Sequence, residues 1–130
     1  MPSVFTQIID RKLPAYIIAE DNDHIAFLDI NPIAYGHVLV VPKKEIDYIF
    51  DINDTCYIKL FCFAKKVSKA MKMAINCQRI GISVIGIEVP HAHIHLIPLN
   101  NISDINFEKE KLSISKIRMQ EIAAKIKLFI

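Results

Sequence analysis

Three histidines alternate in the segment Pro90-His91-Ala92-His93-Ile94-His95-Leu96-Ile97-Pro98. On an α-helix alternate residues diverge by about 200°, so the imidazoles would share no face. On an extended strand they share one: alternate side chains point the same way about 6.5 Å apart, with Ala92, Ile94 and Leu96 towards a core and His91, His93 and His95 in a row opposite. Such a row is a solvated strand face, a metal site or a site of phosphorus chemistry. The metal reading lacks donors, because the sequence offers no Cys pair and no carboxylate partner beyond Glu88, whereas structural zinc takes four ligands and catalytic zinc three. No metal and no cofactor are therefore expected. If the substrate is a phosphate ester, nitrogens spread over about 13 Å cannot all touch one phosphate, so the histidines must have different roles. His93, in the middle, is the natural nucleophile, with one ring nitrogen free and the other held by a backbone carbonyl; His95 can then reach a non-bridging oxygen.

The elements that must position this row are legible in the hydrophobic pattern. Tyr16 to Ala19, His24 to Leu28 and His37 to Val41 read as strands, the first two joined by a turn at Glu20-Asp21-Asn22-Asp23. Val38-Leu39-Val40-Val41 is apolar throughout, as in a strand buried on both faces. From Asp54, the expected N-cap, Tyr57, Leu60, Phe61, Ala64, Val67, Met71 and Ala74 recur at three and four residues, which predicts one long helix to about Asn76. Ile80 to Ile85 and Ala92 to Ile97 read as two further strands, connected tightly through Gly86 to Pro90. A polar loop from Asn100 to Lys111 leads to a C-terminal helix within Leu112 to Ile130, carrying Ile114, Ile117, Ile122, Ile126 and Leu128. The expected fold class is α+β, with a five-stranded antiparallel sheet, in one domain over residues 1–130.

Composition narrows the function classes. The chain is 52% hydrophobic and 23% charged over 130 residues, which excludes a disordered chain and is enough for a core without disulfides or metal. Sixteen basic against fourteen acidic residues give a net charge of +2, too little for a protein that binds nucleic acid by neutralising phosphates. Cys56, Cys62 and Cys77 have no metal-type spacing and read as buried thiols in a reducing compartment. With charges where a secretory signal would be apolar, and no apolar run of membrane-spanning length, the cytoplasm is expected and membrane attachment is not.

The segment His91-Ala92-His93-Ile94-His95-Leu96-Ile97 resembles the signature of the histidine triad, or HIT, nucleotide-binding family, His-φ-His-φ-His-φ-φ with φ apolar. The resemblance extends through Phe5-Thr6-Gln7-Ile8-Ile9, Leu13-Pro14-Ala15, Ala26-Phe27-Leu28-Asp29-Ile30-Asn31-Pro32 and Gly36-His37-Val38-Leu39-Val40-Val41-Pro42-Lys43-Lys44, in the family's order. It implies a homodimeric enzyme acting at the α-phosphate of a purine nucleotide conjugate, of nucleoside phosphoramidase type, through a nucleotidyl intermediate on His93. His95, His91 and the supporting His37 complete the implied catalytic set. Asp29 resembles the carboxylate that takes the ribose hydroxyls. Phe5, Ile8, Phe27, Ile30 and Leu39 resemble the base slot, with Val4 and Asn31 at its edge; Glu88, at a position near the leaving group, and Val89 complete the implied substrate-binding set. His24 matches nothing functional and is expected at the surface. Histidine rather than glutamine at position 95 resembles the hydrolytic branches, not the nucleotidyl transferases. The loop before the triad is shorter than in many relatives, with no Asn, with Ile87 at a usual Gln position and with Glu45 where a histidine is common. Dinucleoside polyphosphate hydrolysis, and nucleotide binding with little turnover, remain open beside the phosphoramidase reading.

Overall fold

The computed structural model describes residues 2–130. Its elements are helix α1 (Val4–Ile9), strands β1 (Ile17–Glu20), β2 (His24–Leu28) and β3 (Val38–Pro42), helix α2 (Asp54–Ala74), strands β4 (Arg79–Ser83) and β5 (Ile94–Leu99), and helix α3 (Lys116–Lys127), with short 3-10 turns at Ile49–Asp51 and Ile102–Ile105. The strands form one antiparallel sheet in the order β1-β2-β3-β5-β4. This is the α+β arrangement that the hydrophobic pattern predicts.

Register assigns the two faces of the sheet. Ile17, Phe27, Leu39, His95 and Ser83 stand opposite one another across successive strands, and directly paired residues share a face. On that face Phe27, Leu39, Ile25 and Val41 pack with Phe5 and Ile8 of α1. The other face carries Ala26, Leu28, Val38, Val40, Ile94 and Leu96, which pack with Leu60, Phe63, Ala64, Val67, Ala70, Met71 and Ala74 of α2 and Met119, Ile122, Ala123 and Ile126 of α3. Both faces of β2 and β3 are therefore covered, which is why their sequences read as unbroken apolar runs.

Several expectations are corrected. Helix α1 was not read from the sequence, since six residues are too few to establish a helical period. Its signal lay in Ser3, whose hydroxyl accepts the Thr6 N–H as N-cap. Asn53, not Asp54, caps α2, accepting the Cys56 N–H at 2.9 Å. On α3 the buried stripe includes Met119 and Ala123, while Ile117 and Leu128 point to solvent. Cys56 and Cys62 are exposed on the polar side of α2, and only Cys77 is buried. His24 is buried rather than superficial: its ring stacks on Phe63 of α2 at 5.0 Å, and Nδ1 meets the Asp21 carboxylate at 3.0 Å.

Gly36 sets the approach to β3. Its φ of +85° is a conformation that side chains disfavour, and a Cβ there would run into Ile75 at the end of α2. The turn it makes delivers His37 to the start of β3 with its carbonyl bonded to the Asp29 N–H at 3.0 Å, so Asp29 and His37 meet at one corner of the sheet.

Candidate active site

β5 begins at Ile94, so His91, in a bend, and His93 precede the strand and only His95 is within it. All three side chains are buried, which removes the solvated-face reading. The rings of His93 and His95 are neighbours, with centroids 4.9 Å apart in an edge-to-face arrangement. His91 turns away from them, towards Pro42 and Ser3. The edge of Phe5 packs against both His93 and His91, at 4.9 and 5.9 Å between centroids.

Hydrogen bonds to groups of fixed polarity assign the tautomer of each imidazole. The His93 Nδ1–H donates to the His91 carbonyl at 2.7 Å, which leaves a lone pair on His93 Nε2. The buried Ile33 N–H donates to His37 Nδ1 at 3.2 Å, so the proton of neutral His37 sits on Nε2. That Nε2–H donates to His95 Nδ1 at 2.9 Å, which places the proton of neutral His95 on its own Nε2. His91 donates from Nε2 to the Pro42 carbonyl at 2.8 Å, and its Nδ1 accepts the Ser3 hydroxyl at 2.6 Å.

Neither His93 Nε2 nor His95 Nε2 has a protein partner among the described residues, and no fully buried side-chain nitrogen or oxygen there is left unpaired. Both atoms therefore open to solvent. Adjacent rings thus present an acceptor and a donor side by side: a nucleophilic lone pair on His93 and an N–H on His95 able to hold an oxygen of the group under attack.

Electrostatics keep the rings neutral. Burial holds His95 down to about 3, helped by the neighbouring His93, and holds His37 down to about 4, helped by the charge of Lys111. Burial also lowers His93 and His91, against the opposing pull of the backbone carbonyls they donate to.

The other sequence-derived candidates divide into three groups. Phe5, Ile8, Phe27 and Leu39 come together in one apolar cluster beside His93, with half-buried Val89 packed against it. Asp29 stands at the corner with His37, its Oδ2 3.6 Å from His37 Nε2 and its Oδ1 accepting the Asn31 N–H at 2.9 Å. Ile30 lies outside the cluster at 68% exposed, because β2 ends at Leu28. Val4, Asn31 and Glu88 are likewise exposed.

The sequence assigns no role to Ser3 or Thr6 and marks Glu45 only as standing where a histidine is common. The Ser3 N–H and the Thr6 hydroxyl both donate to Glu45 Oε1 at 2.7 Å, and the Thr6 hydroxyl and Ser3 N–H hold that carboxyl down to about 2. Through Ser3 this network ties α1 to His91. The only signal was Ser3 as a helix cap, and the contact spans 88 residues of sequence.

Asp29, His37 and His95 offer three ligand atoms within 4.8 Å of one another, the one such cluster among the described residues, so a carboxylate partner does exist that the sequence reading did not see. The donor set does not suit a cation. A metal on His37 Nε2 would force its proton onto Nδ1, against the buried Ile33 N–H.

Comparisons with known proteins bear on the family and the fold. A sequence model of the HIT domain matches residues 10–102. A HIT-like protein of Borreliella burgdorferi is 32% identical over 133 aligned residues, covering 96% of each chain. An adenosine 5′-monophosphoramidase of Schizosaccharomyces pombe is 30% identical over 137 aligned residues, covering 98% of this chain and all of that one. A crystal structure of a HIT-like protein from Bartonella henselae superposes with a TM-score of 0.85 at 28% identity, covering 98% of this chain and 96% of that one. The alternating histidines, the sheet that carries them and these matches place the chain in the HIT family.

Proposed function

We propose that this protein is a nucleoside phosphoramidase that splits the P–N bond of a purine nucleoside monophosphate joined to an amine. The observation that carries the reading is the pair of opposite tautomers on adjacent rings, an open lone pair on His93 beside an open N–H on His95. The neutral His93 Nε2 attacks phosphorus as the P–N bond to the amine breaks, and the amine leaves with a proton from solvent. The nucleotidyl-His93 so formed keeps its Nδ1–H on the His91 carbonyl, which spreads the positive charge the ring acquires. Water then attacks phosphorus as the P–N bond to His93 breaks, one proton of the water passing to solvent, which releases the nucleoside monophosphate and neutral His93. His95 Nε2–H holds a non-bridging oxygen throughout. Phe5, Ile8, Phe27 and Leu39 supply the wall for the base, and Asp29 the acceptors for the ribose hydroxyls. The adenosine 5′-monophosphoramidase among the relatives supports this substrate class.

Mixing the protein with adenosine 5′-phosphoramidate, quenching without acid and digesting is expected to give a His93 peptide heavier by one AMP group. Absence of both the adduct and released AMP would overturn the reading. Asp29→Ala is expected to weaken AMP binding by about 1.5 to 3 kcal/mol through loss of charge-assisted hydrogen bonds, and to erase most of the preference for AMP over its 2′-deoxy form. Calorimetric titration checks this, and equal affinities of mutant and wild type would remove Asp29 from ribose recognition.

The same reading makes the protein a homodimer of the cytoplasm. A second copy would cover apolar side chains left exposed on edge strand β4 and on α2, Ile82, Ile58 and Met73. Three unpaired cysteines suit a reducing compartment. No helix among the described residues is long and apolar enough to cross a membrane.

A further inference from the structure

The site assembled above is short of positive charge. Its imidazoles are neutral, and the side-chain charges that act on His93 from outside the triad are those of the Asp29 and Glu88 carboxylates. A phosphate diester or amide brought there carries at least one negative charge against them. Lys43 and Arg11, at the opposite end of β2 and β3 from Asp29, are both paired with Glu20.

One cation reaches the site from the polar loop between Asn100 and Lys111. After the 3-10 turn at Ile102–Ile105 the chain doubles back, and the Leu112 N–H bonds to the Pro32 carbonyl at 2.8 Å, just beyond Asp29. Between these points the strap lies on the imidazoles. The Phe107 ring meets His95 edge-to-face at 4.7 Å and His37 at 6.0 Å. The Lys111 ammonium donates to the Phe107 carbonyl at 2.8 Å and sits 5.9 Å from the centroid of its ring. Its charge is felt by both His37 and His95. One of its three donors is used, and its exposed four-carbon stem leaves the other two free to swing.

We propose that Lys111 is a phosphate-binding residue of this site, its ammonium holding a non-bridging oxygen of the substrate on the side of His95, with Phe107 anchoring the strap that presents it. The inference rests on the nucleotide reading and adds to it the group that neutralises the phosphate.

Titration of wild type, Lys111→Gln and Lys111→Arg with AMP and with adenosine tests it. Lys111→Gln is expected to lose about tenfold in AMP affinity, about 1.4 kcal/mol, with adenosine affinity unchanged, and Lys111→Arg to restore AMP binding. The AMP affinity of wild type should also fall more steeply with salt than that of Lys111→Gln. Unchanged AMP affinity in Lys111→Gln would overturn the proposal. So would equal losses for AMP and adenosine, which would make the strap merely structural. Wild type that binds neither ligand would overturn the nucleotide reading and this inference together, an outcome distinct from either of the others.

Discussion

His93→Ala is expected to lower release of AMP from adenosine 5′-phosphoramidate by three or more orders of magnitude, on the order of 10³ to 10⁵, and to abolish the covalent adduct. AMP affinity should stay within about threefold, since affinity comes from the base wall, the Asp29 carboxylate and the Lys111 ammonium rather than from the nucleophile. The three histidines are unequal by hydrogen bonding, and that sets the order of the losses. His95→Ala leaves the lone pair on His93 in place and removes one donor to the phosphoryl oxygens, an effect of about 3 kcal/mol by comparison with loss of one oxyanion-hole donor. His91 touches neither open atom with its ring, which is spent on Pro42 and Ser3. His91→Ala should act through the position of its own carbonyl, which holds His93 Nδ1–H, and through stability. Rates measured under single-turnover conditions give the order directly. If His93→Ala kept turnover while His91→Ala lost it, the assignment of the nucleophile would be wrong.

How much of this was legible beforehand follows from the distance over which each feature is encoded. The alternation of histidine with Ala92, Ile94 and Leu96 is a local pattern, and those apolar residues do pack towards α2. The helical stripe of α2 is likewise local, although Phe63 and Ala70 widen it and Phe63 gains His24 as a stacking partner from β2. What local pattern could not reveal are contacts made across the fold. Asp29 and His37 are brought to one corner only by the β2–β3 register and the turn at Gly36. Ser3 meets His91, and Thr6 meets Glu45, only because α1 lies on the outer face of the sheet. Phe107 and Lys111 belong to a segment whose composition says no more than loop, and their relation to His95 exists only because Leu112 is tied back to Pro32.

These long-range contacts also decide the protonation pattern. A single backbone donor, Ile33 N–H, sets the tautomer of His37, which sets that of His95. A single backbone acceptor, the His91 carbonyl, sets that of His93 with the opposite result. Backbone groups do not titrate, so the polarity of the two open nitrogens is built into the fold and survives as long as the rings stay neutral.

That neutrality is costly in acid, and the protein is expected to lose stability steeply between about pH 6.5 and pH 4. Histidine in an unfolded chain takes up a proton near pH 6.5. In the folded protein His37 does so near 4 and His95 near 3, and His93 and His91 are lowered as well. Over the interval between these values the unfolded state binds more protons, so unfolding becomes easier as pH falls, and the contribution of the neutral rings is fully present only above the unfolded value. Each imidazole that stays neutral adds up to about 1.4 kcal/mol per pH unit, and His37 and His95 together amount to several kcal/mol by pH 4, comparable with the whole stability of a small domain. The lowered carboxylates Glu20, Asp21, Glu45 and Asp104 lose their stabilising contribution as pH falls from the ordinary carboxylate range, where the unfolded chain protonates, through their lowered folded values. The upper part of the window, from pH 6.5 to 5, therefore belongs to histidine. Urea unfolding at half-unit steps should show stability flat above pH 7 and falling below it, with a shallower fall from pH 6.5 to 5 in both His37→Gln and His93→Ala. Wild-type stability constant from pH 7 to 5 would mean that the imidazoles charge freely in the folded state, and the fixed tautomers on which the proposed chemistry depends would not hold.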